Sequence, residues 1–156
     1  MLTDYLVASL PSLQFGAPAP MTWERFVAAG GGLDAASAAR WSDLETQLRN
    51  AVAEARGGAG WKRPAEGCSL YWKNRVLACF QEKDVARRDE ALDRVWWDAA
   101  EELTPPASPL GAGALATYAV RLRIALRRTL ISKAAGNAAF DRLTAETKLD
   151  KGQLGL

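Results

Sequence analysis

The sequence contains no histidine, and this absence excludes several kinds of active site. Histidine is the commonest general base in enzymes and the commonest metal ligand in proteins. A Ser–His or Cys–His nucleophile pair is therefore impossible, and so is a zinc site with an imidazole ligand. We expect a protein that is not an enzyme and that holds neither a cofactor nor a metal ion.

Cysteine is scarce, with only Cys68 and Cys79 present. If both lay on one helix, the rise of about 1.5 Å per residue would separate them by roughly 16 Å. That separation is far beyond the reach of a disulfide bond. The sequence therefore predicts two buried thiols in a reducing compartment.

Long hydrophobic runs are also missing. No stretch approaches the roughly 20 consecutive apolar residues that a transmembrane helix needs. The first residues do not follow the pattern of a secretory signal, because Asp4 stands where positive charge is required and the apolar run 5–10 is too short. We expect a cytoplasmic protein without direct membrane insertion, and any association with the inner membrane would be peripheral and through a complex.

The apolar–polar alternation of a β-strand does not persist beyond a few residues anywhere in the chain. Apolar residues recur at helical spacing instead, and a chain of 156 residues is long enough to bury a core as one domain. The sequence therefore predicts an all-α, multi-helix bundle with a long C-terminal helix. The predicted single domain, 1–156, consists of a docked N-terminal segment (1–20), four helices (22–103) and the C-terminal helices (108–148).

Capping residues and prolines predict where the helices begin and end, and Thr22 and Asp34 are expected to start the first two helices after the N-terminal segment. Ser108 and Pro109 are expected to start the last long helix. Gly136–Asn137 is expected to break or kink it before a final helical segment. The predicted helices cover 23–29, 34–56, 69–82, 84–103, 110–135 and 138–148.

Two clusters could be taken for ligand sites but lack the required pattern. Glycines and a lysine over 57–62 do not have P-loop spacing, and Arg63 follows the lysine where Ser or Thr is needed. The acidic residues of 82–102 fall mostly opposite the apolar stripe of their helix, as on a solvated face. We interpret the first cluster as an interhelical loop and the second as surface.

The last long helix is basic, and no acidic residue lies between positions 110 and 135. A basic helix of this kind can bind nucleic-acid phosphates, here through residues 121–133. Alternatively, it packs antiparallel to the acidic fourth helix, so that the opposite charges partly neutralise each other. We favour the hairpin, and nucleic-acid binding is the alternative function. The basic residues are Arg121, Arg123, Arg127, Arg128 and Lys133.

The same helix is apolar on two faces, and arginines flank the second one. The first face consists of Leu115, Tyr118, Leu122, Leu126 and Thr129, and the second of Val120, Ile124 and Ile131. Such a helix either lies at the centre of its bundle or shares one face with a partner. Aliphatic residues beside arginines are typical of the anchor and rim of a protein–protein interface. The candidate interaction residues are Val120, Arg121, Arg123, Ile124, Arg127, Arg128 and Ile131, together with Trp97, which lies off the apolar stripe of the fourth helix.

The stretch Tyr5–Gly16 reads YLVASLPSLQFG, and it is followed by Pro20 and by WERF at 23–26. These residues resemble the start of a bacterial family whose genes accompany those of V-type ATP synthase subunits. Residues 115–145 are similar to the C-terminal helices of that family and to the all-helical V-type ATPase adaptor between rotor stalk and membrane ring. The resemblance implies a non-catalytic accessory or stalk-connector component whose partners are other synthase subunits.

Overall fold

A computed structural model describes residues 2–153, with side chains described over 2–138 and 140–145. Within these residues the chain is an all-α bundle without strands. The helices are α1 (Leu2–Ser9), α2 (Trp23–Ala28), α3 (Ala35–Ala55), α4 (Leu70–Cys79), α5 (Val85–Ala99) and α6 (Ala112–Gln153). A 3₁₀ turn at Ala59–Trp61 lies in the loop after α3, and a second at Ala100–Leu103 directly extends α5.

Side-chain caps start four of these helices. Thr22 and Asp34, both predicted as start signals, accept hydrogen bonds from the backbone N–H groups of Arg25 and Ser37. Ser69 and Asp84 cap α4 and α5 in the same way. Each cap satisfies a backbone donor that the first turn of a helix leaves without an intrahelical partner.

The core consists of three adjoining clusters. The first joins α3, α4 and α5 around Leu48 and Val76, which are fully buried. The second joins α5 and its 3₁₀ extension to α6 and includes the deeply buried Leu103. The third packs α2 and the N-terminal segment on α6, around Phe26 and Leu122. The first half of α6 therefore lies between two clusters and is the central helix of this part of the bundle.

The N-terminal segment lies against α6. Leu6 and Leu10 pack on the Phe26–Leu122 cluster, and the hydroxyl of Tyr118 donates a hydrogen bond of 2.7 Å to the carbonyl oxygen of Pro11. Further along, the backbone N–H of Ala19 donates to the hydroxyl of Thr129 at 3.2 Å. Residues 6–19 are thus fastened to α6 at several points.

The prediction of a break at Gly136–Asn137 is wrong, because α6 runs without interruption from Ala112 to Gln153. A single glycine inside a helix costs only about 1 kcal/mol relative to alanine, and the alanines on both sides favour helix. The start also differs from the prediction. Ser108 and Pro109 belong to a turn, in which the N–H of Gly111 donates to the carbonyl of Ser108, and α6 begins three residues after Pro109.

The two cysteines are both free thiols but lie in different environments. Cys79 is buried, as predicted, and its thiol donates to the carbonyl of Arg75. Cys68 is exposed, contrary to the prediction, because α4 begins only at Leu70 and Cys68 lies in the preceding loop. Among the described helices, none has the length and apolar content that crossing a bilayer requires.

Candidate interaction surface

The acidic α5 and the basic α6 form an antiparallel hairpin. Residues early in α6 contact residues late in the α5 region: the hydroxyl of Thr117 donates to the carbonyl of Ala100 at 2.8 Å. Further along α6, Arg128 pairs with Asp93, which lies earlier in α5, at 2.9 Å. This arrangement is the hairpin that the opposite charges of the two helices predict.

Three of the four predicted arginines are paired with acidic residues from the α5 region. Arg127 and Arg128 both bind Asp93, and Arg128 also approaches Glu90 at 3.9 Å. Arg121 pairs with Glu101 at 3.1 Å. These contacts neutralise much of the basic face of α6, so they do not favour the alternative in which residues 121–133 grip nucleic acid.

Arg121 is the most constrained of these side chains. Its Nε donates to the backbone carbonyl oxygen of Trp97 at 3.0 Å, and its guanidinium lies 5.4 Å from the centroid of the Trp97 ring. Burial lowers the pKa of the Arg121 guanidinium, while the carboxylate of Glu101 acts in the opposite direction. Arg121 therefore lies in the contact between α5 and α6 and stabilises it.

Three candidate interaction residues lie in the core. Val120, Ile124 and Trp97 are only 5%, 8% and 6% exposed, and they belong to one buried cluster between α5 and α6. Leu13 and Phe15 of the N-terminal segment cover the same cluster from outside. The second apolar face of α6 is therefore covered by its own bundle at these positions, and these three side chains expose too little surface to anchor a partner protein.

Ile131, the remaining aliphatic candidate, is 56% exposed and lies where α6 leaves the bundle. We call residues 130–145 the α6 extension. Side chains described in this segment are exposed apart from the half-buried Thr144. Besides Ile131, the large apolar side chains that it exposes are Leu130, Phe140 and Leu143.

Leu130, Phe140 and Leu143 were not among the predicted candidates. The helical spacing of Phe140 and Leu143 could have identified these two residues. Phe140 and Leu143 continue the helical spacing of the first apolar face of α6 across Gly136. The predicted break at Gly136 concealed this continuity. An uninterrupted helix places the apolar residues beyond Thr129 on a surface that the bundle does not cover.

Arg123 differs from the other predicted arginines. Its guanidinium lies over the ring of Trp23, 4.3 Å from the centroid, a distance suited to a cation–π interaction. The salt bridges within the described part of the chain do not include Arg123. With Ile124 and Arg127 it lines a cavity between α6 and two neighbouring helices.

Within the described residues, no group of three or more Cys, Asp or Glu side chains is arranged to hold a metal ion. No protein-family model, curated protein or solved structure matches this chain. The fold is therefore described from the chain itself.

Proposed function

We propose that the protein is a non-catalytic accessory or stalk-connector component of a bacterial V-type ATP synthase, acting through protein–protein contacts. The observation that best supports this proposal is the division of α6 into a half packed in the bundle and an extension with exposed apolar side chains. The packed half anchors the helix, and the extension offers a contact surface to another protein of the complex.

The extension has the dimensions of a helix-in-groove contact. The extension, residues 130–145, is roughly 24 Å long at about 1.5 Å per residue. Leu130 and Phe140 are each 68% exposed. Burying such a side chain on a partner contributes about 1.5–3 kcal/mol, and an amphipathic helix commonly docks its apolar residues in a groove of the partner.

The identity of the partner comes from the N-terminal resemblance. Several residues that carry it also pack on residues 112–129 of α6, which we call its anchored half. Leu6 and Leu10 lie in the Phe26–Leu122 cluster, and Phe15 contacts Trp97 edge-to-face with ring centroids 5.5 Å apart. The segment that resembles the synthase-associated family is thus the one that holds the base of the proposed contact helix. This link supports assigning both features to the same role.

Co-purification from the native host tests the proposal. Tagged protein, extracted under mild conditions, is expected to recover V-type synthase subunits that mass spectrometry identifies. The double variant Leu130→Ser/Phe140→Ser is expected to lose them. The matched control is Leu70→Ser/Val85→Ser. It removes two side chains of similar exposure, 66% each, that lie on α4 and α5, and it is expected to retain the synthase subunits.

The outcomes separate the two parts of the proposal. Failure of the unmodified protein to recover any V-type synthase component would overturn the assignment to the synthase. Equal recovery by the α6 variant and the unmodified protein would instead show that the contact lies elsewhere on the bundle.

A further inference from the structure

A cavity of about 450 Å³ lies between α3, α5 and α6. This volume is within the range of about 300–1,000 Å³ that is typical of small-molecule sites. Its apolar lining comes from Leu92 and Trp96 on α5 and from Ile124 on α6. A small aromatic or aliphatic group could pack against the Trp96 ring and against the branched side chains of Leu92 and Ile124.

The charged lining of the cavity has one cation in excess. Two of its arginines are already paired, Arg49 with Glu45 at 2.6 Å and Arg127 with Asp93. Arg123 is the third arginine, and within the described part of the chain it forms no salt bridge. The lining therefore contains three guanidinium groups and two carboxylates, and the uncompensated positive charge lies at Arg123.

The exposed side chain of Arg123 is also restricted by a ring that lies outside the cavity lining. Its guanidinium lies over the Trp23 ring, an interaction that restricts the side chain and leaves its charge uncompensated. A guanidinium offers a planar set of N–H donors that matches the two oxygens of a carboxylate. Preorganisation of this kind lowers the entropic cost of binding.

We propose that this cavity binds a small organic monoanion, a carboxylate attached to an aromatic or aliphatic body. Arg123 binds the carboxylate, and the body packs on Leu92, Trp96 and Ile124. A phosphate dianion fits less well, because the lining has one positive charge in excess and a second negative charge would find no cation to pair with. This site is independent of the contacts proposed for the α6 extension.

The site can be tested with 2-naphthoate, by isothermal titration calorimetry and by following backbone and indole N–H signals in NMR spectra. Binding is expected to shift the signals of Trp96 and Ile124. Neutral 2-naphthamide and dianionic 2-naphthyl phosphate are expected to bind more weakly than the carboxylate. Arg123→Gln is expected to weaken 2-naphthoate binding on the order of tenfold or more, the usual effect of losing a charge-assisted hydrogen bond.

Arg87→Gln is the matched control, since it removes an exposed arginine of α5 that does not line the cavity, and it should leave the affinity unchanged. The proposal is overturned if 2-naphthoate leaves the Trp96 signals unmoved, or if Arg123→Gln binds as tightly as Arg87→Gln. Equal or tighter binding of the amide or the phosphate would also overturn it. The ligand series uses the unmodified protein, so it decides the matter even if a variant fails to fold.

Discussion

The two halves of α6 belong to one continuous helix but have opposite surroundings. In the anchored half, 112–129, α5, α2 and the N-terminal segment cover the apolar side chains, and Leu122 is fully buried. In the extension, Leu130 and Ile131 are more than half exposed although they follow directly. Both halves are rich in alanine and in branched or aromatic apolar residues. The difference shows that neighbouring elements, rather than the character of the helix itself, decide which apolar residues become core.

The largest expected contrast between the halves is the cost of truncating a leucine. Leu122→Ala should lower the free energy of unfolding by about 2–5 kcal/mol, because it removes buried apolar surface and leaves a cavity. Leu130→Ala should change it by less than about 0.5 kcal/mol, since its side chain is 68% exposed. Urea denaturation followed by circular dichroism measures both values. Similar losses for the two variants would mean that the extension is also packed.

Glycine replacement should have opposite effects in the two halves. A Cβ atom at Gly113 would collide with the backbone carbonyl of Leu103, whereas Gly136 has no atom near the position of its Cβ. Gly113→Ala should therefore destabilise the protein by about 1–3 kcal/mol through overpacking. Gly136→Ala should instead strengthen the helix by up to about 1 kcal/mol.

Thermal unfolding measures the first effect, and amide hydrogen exchange over 130–145 measures the second. Slower exchange with an unchanged melting temperature is the expected result for Gly136→Ala. A stabilised Gly113→Ala variant would contradict the close approach between the start of α6 and the 3₁₀ turn.

The charge contacts of the hairpin provide a smaller contrast. Asp93→Asn removes the carboxylate that binds both Arg127 and Arg128, so it should cost about 1–2 kcal/mol of stability, and the cost should shrink at high salt. Asp141→Asn is the control, because Asp141 is an exposed acid of the extension. Urea denaturation at low and high salt distinguishes the two. A salt-independent loss for Asp93→Asn would argue that shape, not charge, holds the hairpin.

Local rules predicted much of this fold. Thr22 and Asp34 cap helices as expected, and the opposite charges of α5 and α6 are brought together in a hairpin. These features depend on residues a few positions apart or on neighbouring elements. The continuity of α6 through Gly136 was not predicted, because a weak propensity cost was given more weight than the flanking helix formers.

The candidate surface was harder to predict, because long-range packing decides it. Helical spacing identifies two apolar faces on α6 but does not say which elements cover them. Val120 and Ile124 are buried because Leu13 and Phe15, more than a hundred residues away in sequence, fold over the same cluster. Arg123 was identified from its position beside the apolar strip, but its cavity also requires α3, which no local pattern places there.

The smallest expected effect concerns the pH dependence of stability in the anchored half. Burial raises the pKa of the Tyr118 phenol, whose hydroxyl also donates to Pro11. The folded state therefore binds the phenol proton more tightly than the unfolded state does. This contribution is complete below the unfolded pKa of about 10 and is lost as pH rises from there through the folded value.

Urea denaturation between pH 8 and pH 11 measures this loss of stability. Tyr118→Phe should flatten the decline, whereas Tyr5→Phe, at a tyrosine that is 77% exposed, should not. An unchanged slope in Tyr118→Phe would show that the phenol is no more buried than those on the surface.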